Sequence, residues 1–297
     1  MQRLVLIDSH SLIHRAYHAL PKTFITADGK HTNAVYGYTR MLLKLVEDLR
    51  PDYLVATFDS PGPTFRTEMA ESYKAHRPKP ERDLVEQFAY VDEVVEALGV
   101  KSLKMGGYEA DDLIATITTK LRLDLNIVVV TGDNDLMQLV EPNVQVYYPV
   151  KGISQSEMFD VAKVQAKFGL NPDQIADYKA LRGDPSDNIP GVPGIGEKTA
   201  QELLRRYGTL EGVYQHLDEI GGKTQELLEG FRGQAKLSQE LATLEKNVPV
   251  IVNVDEMKIE MESEKYRPVF EKYQFTSLLK SPQMSETQSD TDQLALF

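Results

Sequence analysis

Three short apolar runs, each followed by acid, constrain this chain more than any other feature. They are Leu4-Val5-Leu6-Ile7, Tyr53-Leu54-Val55-Ala56-Thr57-Phe58 and Asn126-Ile127-Val128-Val129-Val130-Thr131. None alternates apolar with polar residues, so strands made from them must be covered on both faces. Helical patterns lie between them. Residues 34–49 place Val35, Tyr38, Met41, Leu42, Leu45, Val46 and Leu49 close to a 3.6-residue period, and 84–98 and 111–123 read the same way. Strands alternating with helices predict an α/β fold built on a mostly parallel, doubly wound sheet.

The acids after the runs then acquire a common place. Asp8 follows the first run, Asp59 the second, and Asp133 and Asp135 the third. Open parallel sheets bind ligands beyond the carboxyl ends of their strands. Four side chains distant in sequence would therefore meet in one crevice. Glu109, Asp111 and Asp112 open the helix before the third strand, and Asp184 and Asp187 sit in a Gly/Pro-rich turn. One Asp after a strand is more often a helix cap or turn residue. Three acid-tipped strand ends and two tight acidic clusters together point instead to hard, oxygen-liganded cations such as Mg²⁺ or Mn²⁺.

Composition narrows the alternatives. There is no cysteine, which removes disulfides and thiolate metal sites and favours a cytoplasmic location. No apolar run approaches the roughly 18–20 residues of a spanning helix, and the 41% hydrophobic content reads as soluble and globular. Lys and Arg number 33 against 45 Asp and Glu, a net charge of −12. That balance taken alone argues against a nucleic-acid partner, although metal ligands would have part of their charge cancelled by bound ions.

The texture changes near residue 160. Short helical stretches broken by Gly and Pro follow at 161–168, 172–181, 197–207, 224–231 and 235–246. The apolar run 248–254 reads as a strand or extended segment, and 266–279 as a last helix. From residue 281 the chain is rich in Ser, Gln and Asp, the composition of a disordered tail. The expected organisation is an α/β core over 1–170 with a basic segment at 60–83, a helical region over 171–280, and the tail 281–297.

At this point the residues become recognisable. The segments are Leu6-Ile7-Asp8 with Arg15-Ala16-Tyr17-His18; Phe58-Asp59; Phe65-Arg66; Tyr73-Lys74-Ala75-His76-Arg77-Pro78; Gly107-Tyr108-Glu109-Ala110-Asp111-Asp112; Thr131-Gly132-Asp133-Asn134-Asp135; and Gly183-Asp184-Pro185-Ser186-Asp187-Asn188 with its continuation to Gly196. Together they resemble the 5′ nuclease domain of bacterial DNA polymerase I, within the wider flap endonuclease superfamily, from residue 1 to about 280. The resemblance implies a PIN-like nuclease core with a helical arch over 60–83 and a helix–three-turn–helix DNA-binding region. It implies two divalent ions, one set of ligands being Asp8, Asp59, Glu109, Asp111 and Asp112, the other Asp133, Asp135, Asp184 and Asp187. Asp111 and Asp135 are expected to be essential to catalysis. Lys74 and Arg77 would face the scissile phosphate, Arg15 and Arg66 would contact the nucleic acid, and Tyr73 would stack on a base. Gly191, Gly194, Gly196 and Lys198 would grip the duplex backbone, with a K⁺ ion. Asn134 departs from the pattern, since many relatives carry Lys or Arg there.

The expected partners are DNA with a 5′ flap, 5′ end or nick, and an RNA primer, bound by a monomer. The expected activity is 5′-3′ exonuclease and flap endonuclease. The rival readings are a branched-DNA-binding module that does not cut, a shorter PIN-type RNA nuclease, and an Asp-nucleophile phosphatase. The chain closes on Gln293-Leu294-Ala295-Leu296-Phe297. Gln293, Leu294, Leu296 and Phe297 resemble the bacterial sliding-clamp binding peptide, and ending there suggests a stand-alone nuclease.

Overall fold

A computed structural model describes residues 1–151 and 155–280. The tail 281–297, with the clamp-type peptide Gln293, Leu294, Leu296 and Phe297, lies outside the described residues. Six strands form one sheet: β1 (Arg3–Asp8), β2 (Tyr53–Thr57), β3 (Lys101–Leu103), β4 (Asn126–Val130), β5 (Val144–Lys151) and β6 (Gln155–Phe159). Their order is β3-β2-β1-β4-β5-β6, and every neighbour pair is parallel except the β5–β6 hairpin. Strand order reverses at β1, which lies between β2 and β4, so the ligand crevice of such a sheet belongs at the ends of β1 and β4.

The helices are α1 (Ser9–Ala19), α2 (Asn33–Leu49), α3 (Phe65–Met69), α4 (Arg82–Ala97), α5 (Ala110–Leu121), α6 (Val161–Phe168), α7 (Ile175–Arg182), α8 (Glu197–Tyr207), α9 (Leu210–Gln215), α10 (Leu217–Ile220), α11 (Gly222–Gly230), α12 (Arg232–Ala242), α13 (Ser263–Lys272) and α14 (Thr276–Leu279). The pleat of β1 sends Val5 and Ile7 into a core with α1, α2, α4 and α13. Leu4 and Leu6 point the other way, into a core with Ile114, Ala115 and Ile117 of α5. Both faces are thus covered, as the unbroken apolar runs require.

A separate core joins α6 to α12 through Tyr178, Leu181, Leu203, Leu204, Val213 and Leu228. Gly191 is buried at φ +62°, and a Cβ there would meet the Gly183 nitrogen at 2.2 Å. Only glycine permits that close approach, which pins the 184–191 turn to the end of α7.

Several expectations shift. The run 248–254 pairs with no strand and ends where Val254 opens a short 3-10 helix, and Val248 and Val250 cover Leu113 of α5. The segment 60–83 holds only the five-residue α3, a string of turns and the first residues of α4 where a helical arch was expected. Among the described residues, no helix is long and apolar enough to cross a membrane.

Candidate metal centre

Local chemistry explains how each acid is aimed. Asp8 ends β1 and at the same time caps α1, accepting from Ser11 N–H at 3.1 Å and from the Thr131 hydroxyl at 2.7 Å. Asp59 accepts from Ala110 N–H at 2.7 Å, which ties the end of β2 to the first turn of α5. Asp133 accepts from Asp135 N–H at 2.9 Å. Asp184 accepts from both the N–H and hydroxyl of Ser186, at 2.8 and 2.6 Å. The resulting crevice has a volume of about 600 Å³ and is lined by Asp8, Asp59, Glu109, Asp111 and Asp133, with Lys74, Arg77, His10 and His14 on its walls. Beside it, one oxygen each from Asp135, Asp184 and Asp187 lies within 4.8 Å of the others.

The electrostatics are those of a cation site. Burial pushes the Asp8 carboxyl up to about 7, against the pull of its Thr131 and Ser11 hydrogen bonds. Burial raises Asp135 to about 7 as well, and neighbouring Asp133 adds to the shift. Asp111 is half-buried at the crevice, and desolvation together with Asp8 and Asp133 holds it well above the usual carboxylate range. Crowded acids that resist ionising, aimed into one space by fixed hydrogen bonds, suit a hard divalent ion.

Four expected site residues are corrected. Asp112 is fully buried. Its Oδ1 accepts from Arg66 Nη2 and Glu245 N–H, its Oδ2 from Arg66 Nη1 and Glu109 N–H. A carboxylate has about four acceptor positions, so Asp112 has none left for a metal. Arg66 is 2% exposed and anchored to Asp112 and to the Leu241 and Thr243 carbonyls, which removes it from any DNA surface. Tyr73 is also buried, its hydroxyl reaching Glu109 at 3.2 Å and Asp187 at 3.4 Å, so its ring cannot stack on a base. Gly191 is corrected too, because its N–H donates to Ser238 Oγ within the core.

The other expected residues are placed as follows. Gly194, Gly196 and Lys198 are exposed around the start of α8, and Arg15 is half-buried on α1. Lys74 adopts a left-handed φ of +54°, and its N–H donates to the Asp187 carbonyl at 3.0 Å. Its ammonium lies 3.0 Å from Glu109, and Arg77 pairs with Asp187. Burial opposes the Lys74 charge, but Glu109, Tyr73, Asp187 and Asp111 together outweigh it and keep the group protonated.

Two participants escaped sequence reasoning. Lys179 of α7 pairs with both Asp135 and Asp184. Its only signal was a lysine flanked by Tyr178 and Ala180 in a stretch that turns out to be buried. Lys167 of α6 donates to Asn134 Oδ1 at 2.7 Å and lies over the rings of Tyr148, Phe159 and Phe168. A cation therefore reaches position 134 from another element.

A parallel sheet with a carboxylate crevice at its switch point, joined to a small helical domain, defines a class of α/β protein with a hard-cation site. Residues 3–169 match the 5′-3′ exonuclease N-terminal resolvase-like domain, and 170–265 match the 5′-3′ exonuclease C-terminal SAM fold. The chain belongs to the 5′-3′ exonuclease family. It is 40% identical over 292 residues to DNA polymerase I of Bacillus caldotenax, covering 97% of this chain and 33% of that protein. It thus spans about a third of the length of the curated relatives it matches. Among solved structures, bacteriophage T5 5′-exonuclease with bound zinc superposes with a TM-score of 0.67 at 20% identity, covering 93% of this chain and 98% of that one. The T5 D15 flap endonuclease in a pseudo-enzyme–product complex with DNA and metal ions gives 0.68 at 21%, over 93% and 98%. At such identities these two matches speak to the fold.

A pH effect on stability follows. Asp8 and Asp135 hold a proton up to about pH 7 when folded, against about 4 in an unfolded chain. Between those values the native state binds more protons, so their contribution to stability falls as pH rises through 7. A bound cation reverses this. With Mg²⁺ at about a hundred times its Kd, the melting temperature at about pH 8 is expected to rise by ~5–10 °C over the EDTA value. The gain at about pH 5.5 should be smaller, because binding must then expel protons. Equal gains at the two pH values, read by differential scanning fluorimetry, would contradict the assignment.

Proposed function

We propose that the chain is a structure-specific 5′ nuclease that hydrolyses phosphodiester bonds at DNA 5′ ends, nicks and flaps, and in RNA primers, during replication and repair. The observation that carries this reading is the convergence of acids from three strand ends and α5 on one crevice walled by Lys74 and Arg77, with Asp135, Asp184 and Asp187 clustered beside it. The residues proposed to hold ions are Asp8, Asp59, Glu109, Asp111 and Asp133 on one side, and Asp135, Asp184 and Asp187 on the other. When bound, a pair of Mg²⁺ or Mn²⁺ ions would supply an activated water and charge neutralisation.

The protein's own groups do the rest. The exposed N-terminus of α8, with Gly194, Gly196 and Lys198, offers N–H groups and a charge to duplex phosphates. Such contacts carry no base information, so recognition of DNA shape rather than sequence is the consequence. Lys74 and Arg77 stand at the mouth of the crevice and stabilise charge that builds on the scissile phosphate. Thr131, Ser11 and the Ala110 N–H keep Asp8 and Asp59 in register for an in-line attack. On the same reading the chain works in the cytoplasm, at the nucleoid, and its partner is DNA that carries a 5′ flap, end or nick.

The test is cleavage of a 5′-labelled flap duplex with Mg²⁺ and with EDTA, beside a 3′-flap control. Release of short 5′ products from the 5′ flap alone, and only with Mg²⁺, is the expected result. Tight binding of branched DNA without cleavage under any divalent ion would replace this reading with a non-cleaving module.

A further inference from the structure

The acids of the cluster differ in the donors that hold them, and Glu109, which accepts from Lys74 and Arg66, stands between the two kinds. Asp8 and Asp59 are held by neutral groups: the Thr131 hydroxyl and the N–H groups of Ser11 and Ala110. Asp135, Asp184 and Asp187 each meet a cation, in addition to the Ser186 donors to Asp184 and the Tyr73 hydroxyl beside Asp187. Lys179 takes one oxygen of Asp135 and one of Asp184. Arg77 takes one oxygen of Asp187, and Lys74 Nζ lies 3.8 Å from the other. These three acids are the ones whose oxygens cluster closely enough to share an ion.

The same contacts fasten the 72–77 turns to the 184–188 turn. Lys74 N–H donates to the Asp187 carbonyl at 3.0 Å, and Asn188 Nδ2 donates to the Ser72 carbonyl at 2.7 Å. Arg77 Nε reaches the Ser186 carbonyl at 3.4 Å. Lys74 and Arg77 are therefore both the cations that face the crevice and the clasp that closes on Asp187.

We propose that a divalent ion and the protein's own cations compete for the Asp135, Asp184 and Asp187 oxygens, so that ion binding there frees Arg77, and with it loosens the turn that carries the Glu109-bound Lys74, for a substrate phosphate. This rests on the two-ion reading above. The physical reason is simple. An octahedral ion needs oxygens at about 2.0–2.1 Å, and a lysine or arginine on those oxygens would sit within a few ångströms of a double positive charge. One of them must leave. Linkage makes the effect reciprocal: a phosphate that draws off Arg77 and Lys74 raises the affinity of this position for the ion. Ion and DNA then arrive together, and the acids are never left uncompensated.

The test is calorimetric titration of EDTA-stripped protein with Mn²⁺, for the native chain, Arg77→Met and Lys179→Met. Arg77 is about half exposed, so its replacement leaves the core intact. Two classes of site are expected in the native chain, with the weaker one tightened roughly tenfold in either variant. In parallel, hydrogen exchange at the Lys74 amide should accelerate in the native chain at the Mn²⁺ concentration that fills the weaker site. Two classes of site with the weaker affinity unchanged in both variants, and unaltered exchange at Lys74, would overturn the competition while leaving the two-ion reading intact. A single class of site in all three proteins would overturn both.

Discussion

Asp111→Asn is expected to slow cleavage of a 5′-flap duplex by at least about 10²–10³-fold while leaving the EDTA-treated protein as stable as the native chain, or more so. The two halves of that result have one cause. Asp111 lies in the crevice wall, where desolvation and the nearby Asp8 and Asp133 make its ionised form unfavourable. An amide in its place removes that repulsion and keeps the shape of the side chain, so the fold loses nothing. A divalent ion needs the charge, and an amide oxygen is a poorer ligand for it. Single-turnover rates and melting temperatures measured on the same preparation separate the effects. A rate within tenfold of native would show that Asp111 does not hold the reacting centre. A large fall in melting temperature would show that it is structural.

Asp8, Asp59, Asp133 and Asp135 were legible because each follows an apolar run that can only be a covered strand, and a strand end fixes where the next residues point. The runs 4–7, 53–58 and 126–131 emerged as β1, β2 and β4, within two residues of their bounds, for that reason. The other strands hid for equally physical reasons. β3 is three half-buried residues, and Gln155–Phe159 is a mostly polar edge strand held by its hairpin with β5. α1 was missed because Asp8 serves two purposes, closing β1 and capping the helix, and only the first leaves a trace in hydropathy.

What pairs with the acids was less legible still. Arg66 and Tyr73 lie in a mixed charge run that reads as solvated surface, and nothing local says that Asp112, 46 positions away, will draw Arg66 inside. Lys179 finds Asp135 across 44 positions. Capping boxes mislead in the opposite sense. Asp112 looked like one more ligand beside Asp111, but one residue along a helix turns the side chain by about 100°. Asp111 faces the crevice, whereas Asp112 faces Arg66 and the Glu109 N–H.

Arg66→Ala is expected to give the largest loss of stability of any single change at this site, about 3–5 kcal/mol, or on the order of 10 °C in melting temperature. The guanidinium spends its donors on Asp112, Glu109 and the carbonyls of Leu241 and Thr243. It thereby joins α3, α5 and the end of α12 at one buried point. Burial opposes the charge, and Asp112 together with Glu109 and Tyr73 more than compensates, holding the group protonated. Truncation leaves the buried Asp112 carboxyl with only the Glu109 and Glu245 N–H groups as partners. Arg66→Lys keeps the charge but loses the planar fork, and should recover only part of the deficit. Arg66→Met with Asp112→Leu removes both charges and should be more stable than Arg66→Ala, though short of native because Asp112 also caps α5. Flap-duplex affinity, measured well below each variant's melting temperature, should change little. An Arg66→Ala protein of native stability that binds DNA weakly would return Arg66 to the substrate surface.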